Sequence, residues 1–310
     1  MTKVTITVLT FNRGSLLKDL INDLIKLTYS PLEIIIVDNH SEDDTQQLMR
    51  KEFSSIIYER THKNLGVAAR NIGIQKASGD IIITIDDDIR GLTDVHIVEL
   101  LNLFKDRAML GAVNFKVLDH VNYKICNWVH HRAHEEFSAQ EFQTYEITEG
   151  AVAFRKAALK KTGNYPEAFF LSHEGPDLAF RLLDHGFDVI YSPKIEVIHF
   201  HSQLGRKSWF RYYYDSRNQL WLAARNLPAS YAIIYLSRGL ISMLVYSIRD
   251  GFFRYWLKGV VDGLRGMGAA LTQRRVLKLK TLQRIKALDK SRPSLAYMIR
   301  TRLAKKEVRL

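Results

Sequence analysis

An α/β fold on a largely parallel sheet is what this 310-residue sequence predicts. Two patterns carry that expectation. Through the first 90 residues, apolar runs of strand length alternate with segments whose apolar residues recur at helical spacing, the rhythm of a parallel sheet covered by helices. Three of these runs also end in polar clusters, Thr10 to Arg13, Asp38-Asn39 and Asp86 to Asp88. Open sheets of this kind bind ligands outside the carboxyl ends of their strands, where such clusters converge.

Thr2 to Thr10, with Val4, Ile6, Val8 and Leu9, reads as a first buried strand, and Phe11-Asn12-Arg13-Gly14 turns out of it. Leu16, Leu17, Leu20, Ile21, Leu24, Ile25 and Leu27 then predict a helix that Tyr29-Ser30-Pro31 stops. Glu33 to Val37 predicts a second strand, and Ser41 with Asp44 resembles a capping box opening a helix to about Phe53. Ile56 to Tyr58 suits a third strand, Asn64-Leu65-Gly66 a turn, Val67 to Ala77 a helix and Ile81 to Ile85 a fourth strand. That strand runs straight into Asp86, Asp87 and Asp88. Three adjacent anions repel and raise one another's pKa, so a divalent cation held by oxygen ligands is expected, with a solvated acidic loop as the alternative.

Thr93 to Phe104 predicts a helix and Gly111 to Val117 a strand. Asp119 to Tyr145 has no period. Its His130, His131 and His134 beside Glu135 and Glu136 invite a zinc reading, but they match no known ligand spacing, and a polar loop over a substrate cleft is expected. Pro176 suits the first turn of a helix after His173-Glu174-Gly175, and Gly186 ends it. Val189 to Tyr191 and Ile195 to Phe200 predict two short strands, followed by His201 and including His199.

Beyond Gln203 the composition changes. Residues 201–310 hold 23 Lys and Arg against 5 Asp and Glu, whereas residues 1–200 hold 22 against 28, so a mildly acidic body carries a strongly basic tail. Trp209 to Trp221 is aromatic and basic, and Tyr231 to Leu271 is apolar with sparse arginines. The longest uncharged runs, Asn226 to Ser237 and Gly239 to Ile248, fall short of the roughly 18 residues of a membrane span. They predict a helical hairpin lying in an anionic membrane surface, with a helical subdomain packed on the sheet as the alternative. No nucleic-acid motif accompanies the basic charge, and no nucleic-acid partner is expected. Cys126 stands alone, which fits a reducing compartment, and residues 1 to 20 lack the pattern of a signal peptide. A cytoplasmic protein, peripheral on the inner face of the cell membrane, is therefore expected.

Six pieces in order resemble the family 2 glycosyltransferases, including rhamnosyltransferase-like bacterial glycan-assembly enzymes. They are Val8 to Arg13, Ile36 to Ser41, Asn64 to Gly66 with Ala69 to Gly73, the Asp86 to Asp88 triplet, Phe169-Phe170 leading to Glu174 with Asp177-Leu178 and Arg181, and Val197 to His199. The resemblance implies a GT-A fold, a Rossmann-like mixed sheet flanked by helices, over residues 1–204, with residues 205–310 as a basic helical extension. It also implies an inverting transfer of a sugar from a UDP-, dTDP- or GDP-sugar to a glycan or lipid-linked acceptor.

Roles carry over position by position. Thr10, Asn12 and Asp38 fall where relatives hold the base and ribose, Arg70 or Asn71 where the nucleotide pocket is completed, and Arg13 and Asp87 beside them. Asp86 and Asp88 match the positions that hold Mg²⁺ or Mn²⁺ against the diphosphate, with His199 as a third ligand. Many relatives carry two adjacent acidic residues at the base position, the second acting as base. Here the pair reads Glu174-Gly175, so Glu174 is expected as base, with Asp177 as the other candidate and Arg181 as its partner. A non-catalytic nucleotide-sugar-binding module is the alternative that Gly175 raises.

Overall fold

The structure, a computed structural model, describes residues 1–200 and 207–304, so the expected boundary at 204/205 and His201 lie outside the described residues. Nine strands form one mixed sheet: β1 (Val4–Thr10), β2 (Leu32–Asp38), β3 (Ile57–Arg60), β4 (Ile81–Asp86), β5 (Ile89–Arg90), β6 (Leu110–Asp119), β7 (Phe142–Gln143), β8 (Ala151–Arg155) and β9 (Asp188–His199). Their order is β3-β2-β1-β4-β8-β6-β9-β5, with β7 also on β9. The first four pair in parallel, β8 runs antiparallel to both neighbours, and β6 and β9 are parallel to each other.

Helices cover both faces. They are α1 (Gly14–Leu24), α2 (Thr45–Glu52), α3 (Arg70–Lys76), α4 (Asp94–Asp106), α5 (His134–Phe137), α6 (Lys156–Thr162) and α7 (Glu174–Asp184). The C-terminal part adds α8 (Phe210–Asn226), α9 (Ala229–Arg249), α10 (Phe253–Arg265), α11 (Met267–Thr272), α12 (Leu279–Asp289) and α13 (Leu295–Ala304). Because the sheet is buried on both sides, its strands are continuous apolar runs. Val4, Ile6, Val8 and Ile83 pack with Leu17 and Leu20 of α1 and Leu100 of α4, while Ile35, Ile82 and Val152 pack with Leu178 and Leu182 of α7. Each isoleucine so buried contributes about 1.5–3 kcal/mol. Register then sets the site: Thr10 pairs with Asp38, and Leu9 with Asp86, so the polar clusters emerge at one level along one edge.

Four local expectations are corrected. The two short strands near the end of the sheet are one strand, β9, whose pairing with β6 shifts between Ser192 and Glu196; Pro193, without an N–H to donate, sits in that irregularity. The capping box before α2 is absent: Ser41 Oγ accepts from the Asn12 N–H, and Asp43 accepts from the Thr45 N–H. The segment 119–145 is an aromatic pack rather than a polar loop. Trp128 and Phe142 lie against Tyr191, His131 stacks on Tyr145, and burial pushes the His130 and His131 imidazoles well below their ordinary range. Finally, the two uncharged runs of the tail join through Arg238 into the single 21-residue helix α9, long and apolar enough to cross a membrane on length and composition, with mean hydropathy 1.4.

The C-terminal helices share the core of the α/β part. Leu222, Leu227 and Ile285 pack in the same cluster as Leu178 and Phe180. Away from that core, α9 leaves Ile233, Ile234, Ile241 and Ile248 exposed, while Arg238 turns inward to the Pro293 carbonyl.

Candidate active site

The end of β4 carries the acidic triplet, and basic groups meet it from three directions. Arg13, from the turn after β1, donates through Nη1 to Asp87 at 3.0 Å and to Asp88 at 2.7 Å. Thr10 Oγ1 donates to Asp87 at 2.8 Å. His199, at the end of β9, places Nε2 3.2 Å from Asp88 and Nδ1 3.0 Å from the Asn127 amide. Arg70, nearly buried at the start of α3, donates through Nη2 to Asp86, and its Nε and Nη1 are buried without a hydrogen-bond partner. Burial pushes the Asp87 carboxyl up to about 7 even though Arg13 pulls it down, so Asp87 serves the turn from beneath rather than facing solvent.

The triplet suits a divalent cation in part. Asp86 is the more exposed carboxylate, Asp88 Oδ1 is buried with no hydrogen-bond partner, and His199 adds a nitrogen beside it. These are hard oxygen donors with one imidazole, a set that Mg²⁺ or Mn²⁺ accepts. Among the described residues no group of three or more His, Cys, Asp or Glu side chains is arranged to hold a metal ion by itself. A cation at Asp86, Asp88 and His199 would therefore share its shell with ligand oxygens.

A cleft opens beside the triplet, lined by Thr10, Arg13, Asn39, Gly66, Arg70 and Phe170 among others. Asn39 organises one wall: its amide donates to Asn64 Oδ1 and the Gly66 carbonyl, and its Oδ1 accepts from the Leu65 N–H. Gly66 has φ +62°, and a Cβ there would collide with the Phe170 carbonyl, which accepts the Val67 N–H at 2.7 Å. The Asn-Leu-Gly turn is thus pressed onto the loop before α7, a contact only glycine permits.

That loop is strained. Phe170, Ser172 and His173 all have φ between +64° and +70°. Asn218 of α8, fully buried, holds it by donating to the carbonyls of Phe169, Leu171 and Ser172 at 2.6–2.9 Å. The loop delivers Glu174 to the first position of α7, 3% exposed, with Oε2 unpartnered. Glu149, just before β8, lies against it. Burial and the neighbouring charge push the Glu174 carboxyl up, and burial pushes Glu149 up, offset in part by Arg70.

The expected residues do not all join the cleft. Asp38 is fully buried and accepts from the Ser41 N–H at 2.7 Å and the Tyr58 hydroxyl at 2.5 Å, leaving Asn39 as the cleft-lining residue of that strand end. Asn12, at φ +55°, accepts from the Glu42 N–H. Asn71 is spent on Tyr165, donating to its carbonyl and accepting its N–H. Asp177 is fully buried in a knot with Arg181, Arg225 and Asn226, and this ionic partnership holds its carboxyl below the usual range although burial opposes it. Glu149 and Asn218 were not anticipated. Neither belongs to a recognisable spacing, and only the fold brings them to the start of α7.

This arrangement is the GT-A class of nucleotide-sugar fold. The chain superposes on the crystal structure of GalNAc-T7 with UDP, GalNAc and Mn²⁺ with a TM-score of 0.61 at 14% identity, over 86% of this chain and 58% of that one. It superposes on the mannosyltransferase PcManGT from Pyrobaculum calidifontis in complex with GDP-Man and Mn²⁺ with a TM-score of 0.55 at 16% identity, over 99% and 88% of the two chains. Residues 5–163 match the profile of Glycosyl transferase family 2, and the chain belongs to that family. Among curated relatives, the O-antigen chain rhamnosyltransferase RfbN of Salmonella typhimurium is 24% identical over 225 residues, 68% of this chain and 70% of that protein.

Proposed function

We propose that this glycosyltransferase moves a sugar, with inversion and metal assistance, from a nucleoside-diphosphate sugar to a hydroxyl of a glycan or lipid-linked acceptor in cell-surface polysaccharide assembly. The observation that carries the reading is the acidic end of β4, where His199 lies beside Asp88, and where Asp86 lines the cleft with Arg70, two of whose guanidinium nitrogens have no partner. Similarity to a rhamnosyltransferase and to proteins crystallised with UDP or GDP-Man and Mn²⁺ supports a UDP-, dTDP- or GDP-linked hexose or deoxyhexose as donor.

In this reading Asp86, Asp88 and His199 hold Mg²⁺ or Mn²⁺, which when bound neutralises the departing diphosphate. Arg70 offers its free N–H groups to the same phosphates, and Thr10, Arg13, Asn39 and the Gly66 turn hold the nucleoside. Holding both substrates in line supplies much of the rate. The acceptor proton goes to the carboxylate at the start of α7, Glu174. Asp38, Asn12 and Asn71 shape this pocket from behind, through the backbone they fix.

Residues 1–204 form the catalytic part, and residues 205–310 brace its loop and meet an anionic membrane surface at the cytoplasmic face. The exposed isoleucines of α9 and the basic balance of the tail support that placement. Flotation with anionic liposomes at low salt tests it: binding that is lost on neutral liposomes is expected, and a protein that ignores both contradicts it.

A thermal-shift series of nucleotide sugars with and without Mn²⁺ tests the donor assignment, since a bound ligand raises stability as the logarithm of its concentration over Kd. Stabilisation by one nucleotide family that requires the metal is expected. A non-catalytic binding module would show the same shift without slow release of nucleoside diphosphate.

A further inference from the structure

The sequence lacks a second carboxylate after Glu174, because position 175 is glycine. The structure fills that place from elsewhere. A Cβ built on Gly175 would collide with Oε1 of Glu149, and it would also crowd the Ile147 carbonyl at 2.8 Å. The space a side chain at 175 would occupy therefore already holds a carboxylate.

Glu149 is fixed there by its neighbours on β4. Thr84 Oγ1 donates to the Glu149 carbonyl at 3.2 Å, and the next residue, Gly150, accepts the Asp86 N–H at 3.2 Å. A Cβ on Gly150 would in turn collide with the Asp86 carboxylate, so the backbone after Glu149 packs on the triplet while the Glu149 side chain lies against the start of α7. The two glutamates differ in access. Glu174 is buried, whereas Glu149 is only partly so.

We propose that Glu149 replaces the carboxylate absent at position 175, and that Glu149 and Glu174 act together as the base of the transfer. This rests on the proposed function above. In the step, the acceptor O–H bond breaks and its proton enters the Glu149–Glu174 pair at Glu174. The freed oxygen bonds the anomeric carbon, and the bond from that carbon to the diphosphate oxygen breaks with its electrons leaving on the diphosphate. Both carboxylates occupy this one corner of the site, so losing either leaves the base incomplete.

The test is nucleoside-diphosphate release from the donor by the full chain with Mn²⁺, for the wild type, Glu149→Ala and Glu149→Gln, each also with added formate. Both variants are expected to be about a hundredfold slower, within the usual range for a lost general base. Formate should restore Glu149→Ala at least tenfold, because it fits the space vacated, and should leave Glu149→Gln unchanged. Donor binding by thermal shift should match the wild type in both, which shows that the variants fold. Wild-type turnover by Glu149→Ala, or a slow Glu149→Ala that ignores formate, overturns the inference. A wild-type protein that releases no diphosphate from any donor overturns the proposed function and this inference with it.

Discussion

The carboxylate of Glu149 stands in the space that a side chain at Gly175 would need, so a backbone position on α7 and an acid from before β8 together build one corner of the site. Gly175→Ala is therefore expected to push Glu149 out of place. Overpacking of this kind costs about 1–3 kcal/mol. A lowered Tm combined with slowed turnover is predicted, measured by thermal denaturation and diphosphate release on the same sample. An unchanged rate would mean that the position of Glu149 does not matter.

Asp177 shows the opposite pattern. Its charge is enclosed by Arg181 and Arg225, with Asn226 as a third donor, and it ties α7 to α8. Asp177→Ala takes the buried carboxylate away from two partly buried arginines, a loss of up to about 3–5 kcal/mol. The predicted defect is in stability, read as a drop in the denaturant midpoint, with turnover per folded molecule largely kept. A stable but inactive variant would return Asp177 to the list of candidate bases.

Asn218 of α8 bonds three carbonyls of the strained segment ahead of Glu174. Asn218→Ala leaves those buried acceptors without that donor, at about 1–3 kcal/mol for a buried unsatisfied group. The expected result is a loss of turnover larger than the loss of nucleotide binding, since Glu174 rides on that loop while most of the proposed nucleotide contacts lie across the cleft. Equal losses in both would argue against a specific role in placing Glu174.

Much of this was legible in the sequence. β-branched runs ending in polar residues located the strands, and the register that aligns Thr10, Asp38 and Asp86 follows from parallel strands of similar length. The triplet and Arg13 stand out at strand ends, whereas Arg70 becomes a candidate only through the family resemblance. Roles that depend on the partner across a fold could not be read from the sequence. Asp38 and Asn71 look like ligand contacts in the chain, yet their capacity is taken up by Tyr58 with Ser41 and by Tyr165, each far away in sequence. Glu149 is one acid among many until β8 is laid against β4. Helix α9 was divided at Arg238 because a charge in an apolar run reads as exposed, whereas its guanidinium turns inward to Pro293.

Stability should depend on pH through Glu146, whose carboxyl burial pushes up to about 8 against the pull of Arg292. A group with a raised folded-state pKa binds its proton more tightly when folded. Its contribution is complete below the ordinary glutamate pKa of about 4.3 and is lost as pH rises through about 8. Glu146→Gln, which cannot ionise, is predicted to match the wild type in Tm near pH 4.5 and to exceed it near pH 9. Parallel curves across that window would show that Glu146 is not buried as described.

The central claim is that the start of α7 supplies the base for sugar transfer beside the acidic triplet. Release of nucleoside diphosphate from the donor with Mn²⁺, compared between the wild type and Glu174→Gln, tests it most directly. The prediction is a fall of about a hundredfold or more with the donor-induced thermal shift retained, as expected for losing a base but not a binding group. A Glu174→Gln protein that turns over at the wild-type rate would contradict it.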